Sequence, residues 1–260
     1  MTTPINETQS IHRAIAILDC FRDIQPELGV REIARQLELH PSTVGRMLAT
    51  LTSLEILTQD KETHRYRMGS KVLKWSSVYM SNVDLRVEAR PYLEELHKLT
   101  QETVHLDIPD GVSRICIDRI ESPHRLRWVA HIGERMPYYA SASGKVMLAF
   151  MPLQQQKAIV KSTTMERLTP NTTTDPKVLF QELEVIKKRR YAVSEGERVE
   201  GVSCVAAPIF EPAGKVIGGI TISGPMMRFS EQKIKEYAKL LMRVTGQLSA
   251  SMGYHLEEIS

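Results

Sequence analysis

Cysteine is scarce in this chain: Cys20, Cys116 and Cys204 are the only three in 260 residues, far apart and odd in number. That argues against a disulfide framework and against a zinc ribbon, and reads as reduced thiols. No apolar run approaches the roughly 20 residues that a membrane span needs. The opening stretch MTTPINETQS lacks a basic region followed by an apolar core, so a cytoplasmic protein with no membrane partner is expected.

Catalytic and metal-binding patterns are short as well. GVSCV at positions 201–205 has Val205 where a nucleophile turn requires glycine. SGKV at 143–146 lacks the earlier glycine and the following Ser or Thr of a phosphate loop. The eight histidines form no H-x-x-x-H pair and no close set with cysteine, so no metal site is expected. Cys204 sits in an apolar strand pattern, where a buried inert thiol is the economical reading. No enzyme and no cofactor are expected. The alternative is a small-molecule hydrolase or transferase using Cys204 or Ser203, which rapid stoichiometric thiol labelling would reveal.

What is present describes an ordinary globular protein, with 42% hydrophobic and 25% charged residues. Its length favours two compact units. The net charge of +3 would not by itself suggest nucleic acid, but its distribution is uneven. Between positions 61 and 74 five cations (Lys61, Arg65, Arg67, Lys71, Lys74) face one acid, Glu62, a local positive field.

Ile11, Ala14, Ile15, Leu18 and Phe21 repeat as the stripe of an amphipathic helix. After a break at Pro26 and Gly29, Val30, Ile33, Ala34 and Leu37 suggest a second. HPSTVGRMLATL, positions 40–51, suggests a third, with Pro41 in an early helical position and Ser42 or His40 near the cap. EILTQDKETHRYRMGS then reads as a β-hairpin with a long charged tip. Helices followed by a hairpin make the winged form of the helix-turn-helix. A further helical pattern (Val72, Leu73, Trp75, Ser76, Tyr79) runs to about Ser81 and closes the first unit, and SNVDLRVEARPYLEELHKLTQE opens the second as a helix.

The second unit mixes strands and helices. TVHLDIP and SRICIDRI alternate as strands joined at Asp110-Gly111, and LRWVAHI is a third candidate. SASGKVMLAFM, LQQQKAIV and PKVLFQELEVIKKRRY read as helices, the last with Val178, Leu179, Leu183 and Ile186 on one face. Strands resume with YAVSEGE, VSCVAAPIF and KVIGGITISG. A final helix turns Ile234, Tyr237, Ala238, Leu241, Val244, Leu248 and Met252 inward. There is no internal repeat. The order suggests an antiparallel α+β domain.

On the third helix, Val44, Leu48 and Leu51 share one face with Met47 beside them, while Thr43, Arg46 and Thr50 share the other. In a helix-turn-helix this element enters the major groove. Arg46 suits guanine O6 and N7, and Gly45 and Ala49 let the helix sit close. Ser42 could offer its hydroxyl and amide to a phosphate at the helix start. The cationic hairpin Lys61, Arg65 and Arg67 would flank the groove, and Arg13, Arg31 and Pro41 complete the expected DNA-binding set. A solvated bundle face, or a module that binds protein, are the competing readings. In the second unit Thr221 and Ser223 put hydroxyls on one strand face, and Ser141 and Ser143 open a helix. Converging on a cavity they would suit a small anion, whereas local capping is the simpler reading of these residues alone.

Taken together, SIHRAIAILDCF, REIARQLELHPSTVGRMLATL, YYASASGKVMLA, YAVSEGERVEGVSCVAAPIF and GGITISGP resemble, in order and spacing, the IclR family of bacterial transcriptional regulators. The resemblance implies a winged helix-turn-helix over 1–70, a linker helix over 71–83 and a GAF-like effector-binding domain over 84–260. It implies a homodimer, paired again into a dimer of dimers, that binds double-stranded operator DNA under a small organic-acid effector. Its pocket would be lined here by Ala142, Ser143, Ser194, Cys204, Thr221 and Ser223, with Arg125 and Trp128 from the preceding segment. The chain departs from the family pattern with Tyr139 where histidine is frequent and Ser194 where an acid is common. If Arg125 faces the cavity, a carboxylate is favoured; if Trp128 does, a flat or aromatic acid also fits.

Overall fold

A computed structural model describes residues 8–22, 25–80 and 84–254. The chain divides into two compact units, Met1–Val83 and Asp84–Ser260. The expected boundary residues 81–83 and the side chain of Tyr79 lie outside what is described.

In the first unit, α1 (Gln9–Asp19), α2 (Val30–Gln36) and α3 (Pro41–Ser53) precede the strands β1 (Leu57–Gln59) and β2 (Tyr66–Met68) and the helix α4 (Lys71–Met80). Their apolar side chains meet in one core of Ile17, Leu28, Ile33, Val44, Leu48, Leu57 and Tyr66. Helix α3 starts where Pro41 fixes φ, and His40 caps it, its Nδ1 accepting from the Ser42 amide at 3.3 Å. The hairpin pairs Leu57 with Met68 and Gln59 with Tyr66. Leu28 bridges to Tyr66 and adds a short third partner that periodicity did not indicate. Gly69 is required where the chain leaves the hairpin, because a Cβ there would collide with the Glu55 carbonyl.

The phase of α1 differs from the expected stripe. Ile17 is fully buried, Ala14, Leu18 and Phe21 pack beside it, and Ile11 and Ile15 are 61% and 53% exposed. Two apolar stripes overlap in this helix, and the one centred on Ile17 wins because it meets the α3 face. On α4, Val72 packs on the core while Leu73, Trp75 and Val78 are exposed.

The second unit is built on a six-stranded, wholly antiparallel sheet in the order β5-β4-β3-β8-β7-β6. These strands are β3 (Thr103–Asp110), β4 (Ser113–Ile120), β5 (Arg135–Pro137), β6 (Ala192–Glu195), β7 (Val202–Phe210) and β8 (Val216–Pro225). The helices are α5 (Asp84–Thr100), α6 (Ala142–Phe150), α7 (Leu153–Ser162), α8 (Pro176–Arg189) and α9 (Glu231–Ser251). A Cβ on Gly219 would meet Val146 and Met147 of α6, whereas one on Gly218 would meet Leu85 of α5. Alternation therefore turns positions 219, 221 and 223 of β8 toward α6, and positions 218, 220 and 222 toward α5. Sheet and helices together make the α+β fold, with helices on both sheet faces.

LRWVAHI is not a strand; that edge of the sheet carries the shorter β5 instead. Its carbonyls are captured by side chains, since Thr103 Oγ1 donates to Trp128 O at 2.6 Å and Arg119 Nη1 to Ala130 O at 2.5 Å. With those acceptors taken, a ladder has less to recruit. Val178 is 42% exposed rather than inward on α8, and Ile234 and Met252 of the last helix are only half-buried.

Candidate functional site

Helix α3 buries Val44, Leu48 and Leu51 and presents Arg46 and Thr50 to solvent, with Thr43 half-buried between. This is the separation of faces that the 3.6-residue period predicts. The Thr50 hydroxyl donates back to Arg46 O at 3.1 Å, so the threonine turns its methyl outward. The Ser42 hydroxyl lies 2.7 Å from His40 Nδ1 and is engaged in the cap. Gly45 has nothing within 4 Å of an added Cβ, so nothing among the described residues requires a glycine there.

Around this helix, Arg31 is exposed on α2, Arg13 half-buried on α1, Pro41 exposed at the α3 start, and Lys61 and Arg67 exposed on the hairpin. Arg65 differs from the expected outward cation. Its guanidinium binds Glu32 at 2.8 Å and the Glu27 carbonyl at 3.0 Å, tying the hairpin to the start of α2. Glu32 also accepts from the Gly29 amide at 2.7 Å. That amide and Arg65 hold its carboxyl below the usual range.

In the second unit a cavity of about 450 Å³, including its open mouth, lies on the α6 side of the sheet. Ser143 from α6, Ser194 from β6, Cys204 from β7, Thr221 from β8 and Trp128 from the loop before β5 all line it. Helix α6 points its N-terminus here, with Ser141 Oγ as cap accepting from the Gly144 amide at 3.2 Å. Gly144 is needed because a Cβ would strike the Tyr138 backbone. The first amides of a helix are left without intrahelical acceptors, and they and the helix dipole favour an anion.

Three expected residues stand elsewhere. Arg125 is exposed in the loop and does not line the cavity. Ala142 is fully buried in the apolar core behind it. Ser223 lies one pleat further along β8, 3.5 Å from His105 Nδ1. The cationic wall is instead Arg114 of β4 and Arg198 of the loop after β6, with His105 of β3 beside them. Arg114 Nη1 stands 2.8 Å from Asp107 Oδ1, and His105 Nε2 3.3 Å from Asp107 Oδ2. Burial pushes the Asp107 carboxyl up, but Arg114 and His105 outweigh it and hold the group below the usual range. Arg198 pairs with Glu134 at 2.5 Å. The signal for this wall was the HLD triplet, which sets two ionisable groups two residues apart on one face of an apolar strand.

One hydroxyl on the wall, Thr221 Oγ1, is buried with no hydrogen-bond partner among the described residues, and Ser143 Oγ has no partner there beyond the Asp107 carboxyl. Such groups are costly unless something meets them. Burial pushes the Cys204 thiol up to about 12, which disfavours the thiolate. Ser203 Oγ is buried with no hydrogen-bond partner among the described residues.

The comparisons agree with this layout. Residues 10–61 match the IclR helix-turn-helix domain, and residues 77–250 the bacterial transcriptional regulator IclR C-terminal domain. The HTH-type transcriptional regulator KdgR of Escherichia coli K12 is 34% identical over 250 residues, covering 96% of this chain and 95% of that protein. The crystal structure of the Thermotoga maritima IclR superposes with a TM-score of 0.80 at 33% identity, covering 95% of this chain and all of that one. An IclR homolog from Microbacterium hydrocarbonoxydans, solved with 4-hydroxybenzoate, shares the fold at 20% identity, with a TM-score of 0.78 over 94% of this chain and 99% of that one. The chain therefore belongs to the IclR family of DNA-binding transcriptional regulators.

Proposed function

We propose that α3 reads the operator and that a small carboxylate in the α6-side cavity sets the affinity for it. Arg46 is the base-reading side chain, approached by Thr43, Thr50 and the Pro41-Ser42 start of the helix. Lys61, Arg67, Arg13 and Arg31 hold phosphates. Arg65 is an anchor of the hairpin, not a phosphate contact.

The observation that carries the effector reading is the buried Thr221 Oγ1, without a hydrogen-bond partner among the described residues, on a wall that also holds Ser143, Arg114, Arg198 and a helix N-terminus. A carboxylate with a second polar group would meet all of them. Trp128 on the same wall leaves room for a flat acid as well. The exposed apolar side chains of α1 (Ile11, Ile15) and α4 (Leu73, Trp75, Val78) support dimerisation through the first unit. A thermal-shift series with small carboxylates, followed by operator binding with and without the best of them, tests the reading. A rise in melting temperature with altered operator affinity is expected. A carboxylate that stabilises the protein and leaves operator affinity unchanged would overturn control through this cavity.

A further inference from the structure

With the His105 ring neutral, the charges around the cavity wall cancel among themselves. Arg114 faces Asp107 at 2.8 Å and Arg198 faces Glu134 at 2.5 Å. A carboxylate entering here brings one negative charge with no surplus cation to meet it, in a place where Asp107 is fully buried. Buried charge without compensation is strongly disfavoured. A positive charge has to appear with it, or an acid has to be neutralised.

Candidates for that role are few. Asp107 is held below the ordinary carboxylate range and resists protonation. Cys204, raised to about 12, is neutral already and can supply no positive charge. Glu197, whose carboxyl burial pushes up, is committed to Lys145 at 2.8 Å and is not on the wall. His105 remains. Across from it, β4 places Arg119, which is tied to Glu121 at 2.9 Å, and β8 places Thr221. The charged form of the ring would find an acceptor at each nitrogen: Asp107 Oδ2 at 3.3 Å from Nε2, and Ser223 Oγ at 3.5 Å from Nδ1, the serine donating onward to Thr103 O. Imidazole is the side chain whose charge changes most readily near neutrality.

We propose that the pocket takes up a small monocarboxylate together with one proton, Arg114 anchoring the carboxylate while a charged His105 takes over Asp107. This rests on the effector reading of the cavity. The proton comes from solvent, so affinity strengthens as pH falls, by up to roughly tenfold per pH unit.

The test uses the full chain. Acetate, glycolate, lactate and benzoate are screened by thermal shift, and the best is titrated calorimetrically at pH 7 in phosphate and in Tris, whose protonation enthalpies differ. The expected result is an enthalpy difference equal to nearly one proton taken up. Asp107→Asn, which removes the competing charge, binds the same acid with no proton uptake and a flat pH profile. Should that variant not fold, His105→Gln gives the second reading, weaker binding with no proton uptake. Normal binding without proton uptake by the unmodified protein, or unchanged uptake in His105→Gln, overturns the proton linkage and leaves the effector site standing. Failure of all four acids to bind overturns the effector reading and this inference with it.

Discussion

At the scale of single residues, side chains that the protein's own packing does not explain point to function. Gly45 sits in the first half of α3, where glycine is less favourable than alanine by about 0.5–1 kcal/mol, and open space surrounds it. Gly45→Ala should therefore raise stability by about that amount in urea unfolding while weakening operator binding, since the added methyl stands between helix and groove. Arg46→Ala should leave stability unchanged within about 0.5 kcal/mol. It should cost about 1 to 3 kcal/mol of operator affinity and relax preference at one base position. Equal loss on all sequences would mean that Arg46 holds a phosphate instead. In the second unit, Thr221→Val replaces a buried, partnerless hydroxyl by a methyl of the same shape. Without ligand it should stabilise the protein by up to about 1 kcal/mol, and it should blunt the thermal shift that a carboxylate produces.

At the scale of elements, the hairpin separates anchoring from contact. Arg65 joins β2's approach to Glu32 and Glu27, whereas Lys61 stands exposed at the tip. Arg65→Gln should lower the melting temperature and leave the salt dependence of DNA binding unchanged, while Lys61→Gln should lower the salt slope by about 1 and leave melting alone. Glu32's carboxyl is depressed in the folded state, so the Arg65–Glu32 contribution is present above the carboxylate range and fades as pH falls through it. An acid melting series should accordingly show the gap between the protein and Arg65→Gln closing below about pH 4. The sequence displayed α3 plainly because its two faces differ in chemistry at every turn. It did not display the phase of α1, where isoleucines lie on both candidate stripes and only the partner helix decides. The false strand at 126–132 has the same cause: its carbonyls are captured by Thr103 and Arg119, contacts that local periodicity cannot show. The resemblance likewise led to Arg125 for the cationic wall, while Arg114 supplies it from β4, a pairing set by the β3–β4 register.

At the scale of the whole molecule, a regulator of this kind needs two binding events that sense each other, and thermodynamics makes the sensing mutual. If a carboxylate in the cavity lowers operator affinity by some factor, operator DNA must lower carboxylate affinity by that same factor. The coupling requires subunit arrangements that the two ligands favour differently, and a dimer spanning two half-sites about one helical turn apart, ~34 Å, would supply them. Ile15→Glu, on an exposed apolar face of α1 away from the Ile17 core, should split such a dimer in light scattering without lowering the monomer's stability. The split protein should keep carboxylate binding, because the described lining residues of the cavity all fall within 105–221 of the second unit. It should bind a two-half-site operator no more tightly than a single half-site, and the mutual factor between carboxylate and DNA should fall to one. A variant that is monomeric by light scattering yet retains that factor would place the coupling inside a single chain.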